Sequence, residues 1–117
     1  MKTRKILSLI SALMLALAAP ASLAEGLALT DMAGREITLD APAARVIALN
    51  PADCEILYAL GAEDVLVGRG EYCNYPEAVL ELPSVNSGAE TNIEQILALE
   101  PDVIVMSKMA QTVEQVE

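Results

Sequence analysis

Tyr72 and Tyr75 stand three residues apart in the stretch Glu71-Tyr72-Cys73-Asn74-Tyr75-Pro76. Two rings at that spacing in a loop can offer a flat apolar contact with a polar tip, the kind of surface that holds a small molecule. Either ring can equally pack down on its own domain. Cys54 and Cys73 are the two cysteines of the chain, and outside the cytoplasm they could close one bridge. Asp53 and Glu55, two apart on a helix, face different directions and suit the positive helix end better than shared-proton chemistry. The chain has no His, which removes the commonest general base and the commonest metal ligand. Ser107 therefore lacks a His partner, and it lies in no G-x-S-x-G elbow. Gly68-Arg69-Gly70-Glu71-Tyr72-Cys73 approaches the G-x-G-x-x-G dinucleotide fingerprint, but Cys73 replaces the third glycine and Pro76 arrives before a long helix can start. These residues suit binding by contact, with no catalytic residue, metal ligand or cofactor expected.

The elements that must position them read as a parallel α/β unit. Leu27–Thr30 and Ile37–Leu39, with Asp31-Met32-Ala33-Gly34 between, predict a small β-hairpin. Val46–Leu49 is apolar without alternation, as in a strand buried on both faces. Ala52–Leu60 predicts a helix, with Asn50 as N-cap, Pro51 in the first turn, Gly61 past the end, and Ile56, Leu57 and Leu60 on one side. Val65–Gly68 predicts a second strand, Arg69–Pro76 a loop, Pro76–Leu80 one helical turn, and Ser84-Val85 a short strand. Thr91-Asn92-Ile93-Glu94 has the form of a capping box opening a helix through Leu99. Val103–Met106 predicts another buried strand, and Met109–Glu117 the start of a further helix. Strands alternating with helices predict a parallel sheet covered on both faces. In such a sheet ligands sit beyond the carboxyl ends of the strands, which gathers Asn50 to Asp53, Arg69 to Tyr75, and Ser107-Lys108 on one rim.

Lys2, Arg4 and Lys5, then an apolar run from Ile6 to Ala19 and Ser22-Leu23-Ala24, predict a signal peptide over 1–24 cleaved after Ala24. The run is too short for a stable membrane anchor, which needs about 20 residues. No cysteine stands at a lipid-attachment position behind it. The rest, 25–117, holds 4 basic and 17 acidic residues, a formal charge of 4 − 17 = −13. That surface repels nucleic acid and anionic lipid, so neither is an expected partner. Its length suits one small α/β domain. With three Tyr and no Phe or Trp, the core must be filled by Leu, Ile, Val and Ala.

Taken in order, several segments resemble the periplasmic-binding proteins for iron chelates and cobalamin. They are Asp31 with Gly34-Arg35; Arg45-Val46-Ile47-Ala48-Leu49-Asn50-Pro51, Glu55 and Leu60-Gly61-Ala62; Val67-Gly68 with Tyr75-Pro76; and Asn92-Ile93-Glu94-Gln95-Ile96 with Ala98-Leu99-Glu100-Pro101-Asp102-Val103-Ile104-Val105. The resemblance implies the substrate-binding protein of an ABC importer, in which two α/β lobes hold the ligand between them. Residues 25–117 then correspond to the larger, incomplete part of the N-terminal lobe. It implies ligand contacts at Tyr72, Tyr75 and the Pro51-Ala52-Asp53 turn, and docking of Glu94 on Arg residues of the permease. Tyr72-Cys73-Asn74-Tyr75-Pro76 is most similar to cobalamin-binding members. Asn86 to Thr91 lacks the Trp that those members often carry, so a ferric siderophore or heme stands beside cobalamin as expected ligand. The alternatives are a truncated fragment without function of its own and an extracytoplasmic enzyme on a similar lobe.

Overall fold

The computed structural model describes residues 26–108 and 111–115. The expected signal peptide lies outside the described residues. Among those described, no helix is long and apolar enough to cross a membrane.

The hairpin forms as expected. Strands β1 (Leu27–Thr30) and β2 (Glu36–Leu39) pair antiparallel, with Leu27 opposite Leu39 and Thr30 opposite Glu36. Asp31 organises the turn. Its Oδ1 accepts from the backbone N–H groups of Ala33 (2.8 Å) and Arg35 (2.9 Å), and its Oδ2 meets the Arg35 guanidinium at 2.6 Å. Those bonds, the Arg35 amide foremost, hold the Asp31 carboxyl below its ordinary pKa. Gly34 supplies the left-handed residue of the turn at φ 82°.

The main sheet is parallel, with strand order β5–β4–β3–β6. Its strands are β3 (Val46–Ala48), β4 (Leu66–Gly70), β5 (Ser84–Val85) and β6 (Val103–Val105). Side chains alternate between two cores, the period-2 consequence of a pleated strand. Val46, Ala48 and Leu66 lie in one core, with Val103 and Val105 packed against it. Ile47 and Leu49 lie in the other, with Val67, Ile104 and Met106 against it. The central strand is buried on both faces, and each fully buried Ile or Leu contributes about 1.5–3 kcal/mol. The β3–β4 register shifts between Val46 and Ile47, which face Leu66 and Gly68, so Val67 is the extra residue.

Helix α1 (Pro51–Ala59) covers the first core and α2 (Ile93–Ala98) the second, which gives the two-sided layering expected. Their inner faces differ from expectation. In α1 the sheet-facing set is Cys54, Leu57 and Tyr58, at i, i+3 and i+4, while Ile56 and Leu60 are 56% and 74% exposed. The helix begins at Pro51, and from there Cys54 lands over the sheet. The Asn50 side chain makes no cap bond; its carbonyl instead accepts from the Asp53 and Cys54 amides at 3.1 and 3.2 Å.

The cap of α2 also differs. Asn92, not Thr91, is the N-cap, and its Oδ1 accepts from the Gln95 N–H at 3.1 Å. The Gln95 side chain accepts the Asn86 N–H at 3.0 Å, and the Asn92 amide donates to the Asn86 carbonyl. The expected Thr-x-x-Glu box is thus an Asn-x-x-Gln arrangement one residue later. Thr91 turns back to the Gly88 carbonyl, and Glu94 is exposed in the first turn. The far end of α2 is closed by Glu100 in the left-handed region at φ 48°. Arg45 donates there to the Leu99 and Glu100 carbonyls at 2.6 and 2.9 Å, where the helix dipole favours a cation. Asp102 receives the Ala44 and Arg45 amides. The Glu100-Pro101-Asp102 stretch therefore locks the amino edge of the sheet.

Of the helix expected over 109–117, only 111–115 lies within the described residues, and there the chain forms a 3-10 turn at Val113–Gln115 rather than an α-helix. Gln111 and Gln115 hold this segment against the body of the domain. Their side-chain amides donate to the Ser87 and Ala89 carbonyls at 2.7 and 3.3 Å.

Candidate functional site

Parallel pairing puts the carboxyl ends of all four strands on one edge. Leu49 to Asp53 leaves β3, Glu71 to Tyr75 leaves β4, Asn86 to Gly88 leaves β5, and Met106 to Lys108 leaves β6. The three expected segments do converge, and 86–88 joins them.

Pro51 and Asp53 are half-buried in the first turn of α1, and Ala52 is exposed. Burial pushes the Asp53 carboxyl above its ordinary pKa. Tyr72 and Tyr75 are 64% and 66% exposed. Neither ring is absorbed into the core, and Tyr58, on α1, is the tyrosine that packs inward. Tyr72 reaches toward the β5 exit, where a Cβ added to Gly88 would stand 4.0 Å from its hydroxyl and 3.6 Å from Glu71 Oε1. Glu71 also accepts the Ser87 amide at 3.4 Å. Under the Tyr72 loop, Arg69 donates to the Gly70 and Cys73 carbonyls at 3.3 and 3.2 Å and so fixes the loop's course.

Cys54 and Cys73 are free thiols, both fully buried. Each points at the Ala48 carbonyl, at 3.6 and 3.7 Å, which brings the two thiols together in one core cluster. That contact, then burial, raises the Cys54 pKa. The same contact, with Arg69 nearby, lowers that of Cys73. Because Cys54 follows Asp53 and Cys73 follows Tyr72, the thiol contact brings the 51–53 turn and the Tyr72 loop side by side. Glu94 stands apart from these residues, exposed on α2 just past the 86–92 segment.

The glycines of the 68–73 stretch have a packing explanation. Gly68 and Gly70 lie within β4, not in a strand-to-helix turn. A Cβ on Gly68 would meet Leu99 Cδ1 at 2.6 Å, and one on Gly70 would meet the Leu49 carbonyl oxygen at 2.1 Å. The dinucleotide pattern is thus close packing of β4 against its neighbours.

Sequence reasoning missed the β5 exit. Ser87 is buried, and its Oγ has no hydrogen-bond partner among the described residues. Gln111 is buried too, and spans from the Ser107 amide, at 3.3 Å, to the Ser87 carbonyl. Asn86-Ser87-Gly88 behind a two-residue strand was the available signal: small polar residues at a strand's carboxyl end. A separate apolar groove of about 240 Å³ opens between α2 and the sheet, lined by Leu49, Ile93, Ile96, Leu97, Ile104 and Met106. It includes none of the expected ligand residues. Among the described residues no group of three or more metal-ligating side chains is gathered. The arrangement is that of one open face, suited to contact with a broad ligand.

The described residues thus form an open parallel α/β lobe with two exposed tyrosines at its strand ends. The profile of the family described as periplasmic binding protein matches residues 46–117, and the chain belongs to that family. A vitamin B12-binding protein of Vibrio cholerae is 48% identical over 64 residues, which cover 55% of this chain and 23% of that protein. The solved periplasmic vitamin B12 binding protein of Vibrio cholerae superposes with a TM-score of 0.58 at 42% identity, covering 64% of this chain and 29% of that one. A periplasmic heme binding protein of Pseudomonas aeruginosa gives 0.60 at 28% identity, covering 63% and 26%. The chain thus spans about a quarter of the length of the curated relatives it matches.

Proposed function

We propose that the protein carrying this lobe captures cobalamin or an iron chelate (heme or a ferric siderophore) outside the cytoplasm and delivers it to an ABC permease. The observation that carries this reading is the Tyr72 ring, exposed on the rim between the Pro51-Ala52-Asp53 turn and Gly88. A flat macrocycle needs a ring of this kind to lie against, and Tyr75 extends the same exposed loop. Relatives described as binders of vitamin B12 and heme support the class of ligand. They are described as binding proteins, so the reading is capture rather than catalysis. Export by a signal peptide over 1–24 fits the same role. Glu94, an exposed carboxylate in the first turn of α2, suits docking to an Arg fork on the permease.

The test is calorimetric titration of the full-length product with cyanocobalamin, hemin and a ferric hydroxamate. One of them binds at micromolar Kd or tighter. Tyr72→Ala weakens that binding about 10- to 100-fold, the equivalent of unburying a ring face. No binding of any of the three overturns the proposal. Glu94→Ala leaves the Kd unchanged and lowers uptake into cells; unaltered uptake removes the docking role.

A further inference from the structure

Cys54 and Cys73 are the cores of two different rim segments, and the fold sets them against each other. Cys54 lies in α1 and Cys73 in the loop after β4, and both turn inward to one carbonyl, that of Ala48 in the central strand. Each side chain is fully buried, and the two belong to one core cluster. A buried cysteine alone is an ordinary core residue. Two that share one acceptor are a different matter, because both sulfurs lie within 3.7 Å of the same oxygen and an S–S bond is about 2.0 Å long. The backbone around them is already fixed. The Cys73 amide donates to the Gly70 carbonyl at 3.1 Å, and the Cys54 amide to that of Asn50 at 3.2 Å.

We infer that Cys54 and Cys73 are joined by a disulfide in the exported protein, and that this bridge staples the Pro51-Ala52-Asp53 turn to the Tyr72 loop. The inference rests on the thiol placement and is independent of which ligand is bound. The bridge closes around β4, so it ties together two segments that otherwise meet only through non-covalent packing. Each linked residue adjoins a rim residue, Asp53 on one side and Tyr72 on the other. The half-site is thereby pre-ordered, and less conformational freedom is lost when a ligand arrives.

Formation requires a disulfide oxidant such as glutathione disulfide, and it proceeds before both thiols are sealed in the core. The Cys73 thiolate attacks one glutathione sulfur and releases the other as a thiol. Cys54, losing its proton, then attacks the Cys73 sulfur of the mixed disulfide and releases the second glutathione. Two cysteine S–H bonds and one glutathione S–S bond are exchanged for one protein S–S bond and two glutathione thiols.

Trypsin separates the two cysteines, since Arg45, Arg69 and Lys108 leave Cys54 in 46–69 and Cys73 in 70–108. The chain is exported to a bacterial periplasm, denatured in N-ethylmaleimide without reductant, and digested. The expected product is a linked 46–69/70–108 species in more than half of the molecules, resolved by dithiothreitol into two peptides. Recovery of most of both peptides singly, each carrying one maleimide, overturns the bridge. On the folded protein, hydrogen exchange at 71–75 is expected to rise at least about tenfold after reduction. Equal exchange in both states overturns the stapling role while leaving the bridge. Cys54→Ala/Cys73→Ala is expected to lower the melting midpoint by roughly 10 °C or more, from the loop entropy a bridge of this span removes. A midpoint equal to that of the oxidised parent also counts against stapling.

Discussion

Gly70→Ala is expected to cost far more stability than Gly68→Ala, although both insert one methyl group into the same strand. The difference lies in what the methyl meets. At Gly70 a Cβ would lie 2.1 Å from the Leu49 carbonyl oxygen, 2.8 Å from its carbon and 2.6 Å from Ser87 Oγ. Leu49 and Ser87 are both buried, and the Leu49 amide is already bonded to the Val105 carbonyl at 3.0 Å. Relief therefore requires β3 and β4 to part by about 1 Å at the centre of the sheet. Overpacking costs typically about 1–3 kcal/mol when side chains absorb it, and here a ladder of backbone bonds must move, which places Gly70→Ala at the top of that range or above. At Gly68 the nearest atom is the Leu99 Cδ1 methyl at 2.6 Å, the end of a half-buried side chain that can rotate away. That strain, about 1 kcal/mol, is offset by the roughly 0.4–1 kcal/mol gained from a stiffer unfolded chain. A domain of this size holds only about 5–10 kcal/mol in total. Urea denaturation followed by circular dichroism, on the two variants and the parent, measures the contrast. Gly70→Ala should lose at least a third of the midpoint concentration, and Gly68→Ala should stay close to the parent. Equal midpoints, or the reverse order, would refute the placement of Gly70 against the β3 backbone.

Three further outcomes follow from the caps and the hairpin. Asn92→Ala should cost about 1 kcal/mol of stability and Thr91→Ala less, because Asn92 is the residue that caps α2; thermal melts of the two variants decide between the registers. Arg45→Met should cost about 1 kcal/mol through the lost bonds to the Leu99 and Glu100 carbonyls, read as a lower urea midpoint with an unchanged slope. Asp31 has a folded pKa below its ordinary 3.8, so its contribution is present above that value and is lost as pH falls through the lowered pKa. The Ala33 and Arg35 amide resonances should therefore titrate together below the normal Asp range, and Asp31→Asn should abolish that step.

The parallel sheet was legible because its strands announce themselves. Val46-Ile47-Ala48-Leu49 and Val103-Ile104-Val105-Met106 lack polar alternation, and only a strand covered on both faces tolerates that. The hairpin was legible through Asp31 and Gly34, whose chemistry is local. The helix faces were not. Ile56, Leu57 and Leu60 look like an inner stripe, yet small Cys54 sets the face because the sheet approaches α1 closely there. Capping was misread by one residue for a related reason. Thr91-x-x-Glu94 and Asn92-x-x-Gln95 are nearly equivalent as local patterns, and the tie is broken at long range, where Gln95 accepts the Asn86 amide. Contacts of that kind leave no mark in periodicity.

The same division explains the site. Residues proposed to act through their own chemistry, Tyr72 and Tyr75, could be chosen from type and loop placement, and both stand exposed at the rim. Residues that act by bridging segments could not. Gln111 matters for joining the Ser107 amide to the carbonyl of Ser87, 24 residues before it in sequence. The Cys54–Cys73 contact belongs to this second group, since 18 residues and a whole strand lie between its partners. Its consequence is that the rim is not assembled from independent loops. The α1 turn and the Tyr72 loop share one buried anchor on the Ala48 carbonyl, and the β5 and β6 exits share another through Gln111. A perturbation at either anchor should therefore move rim residues in pairs, Asp53 with Tyr72 and Ser87 with Ser107, rather than one residue at a time.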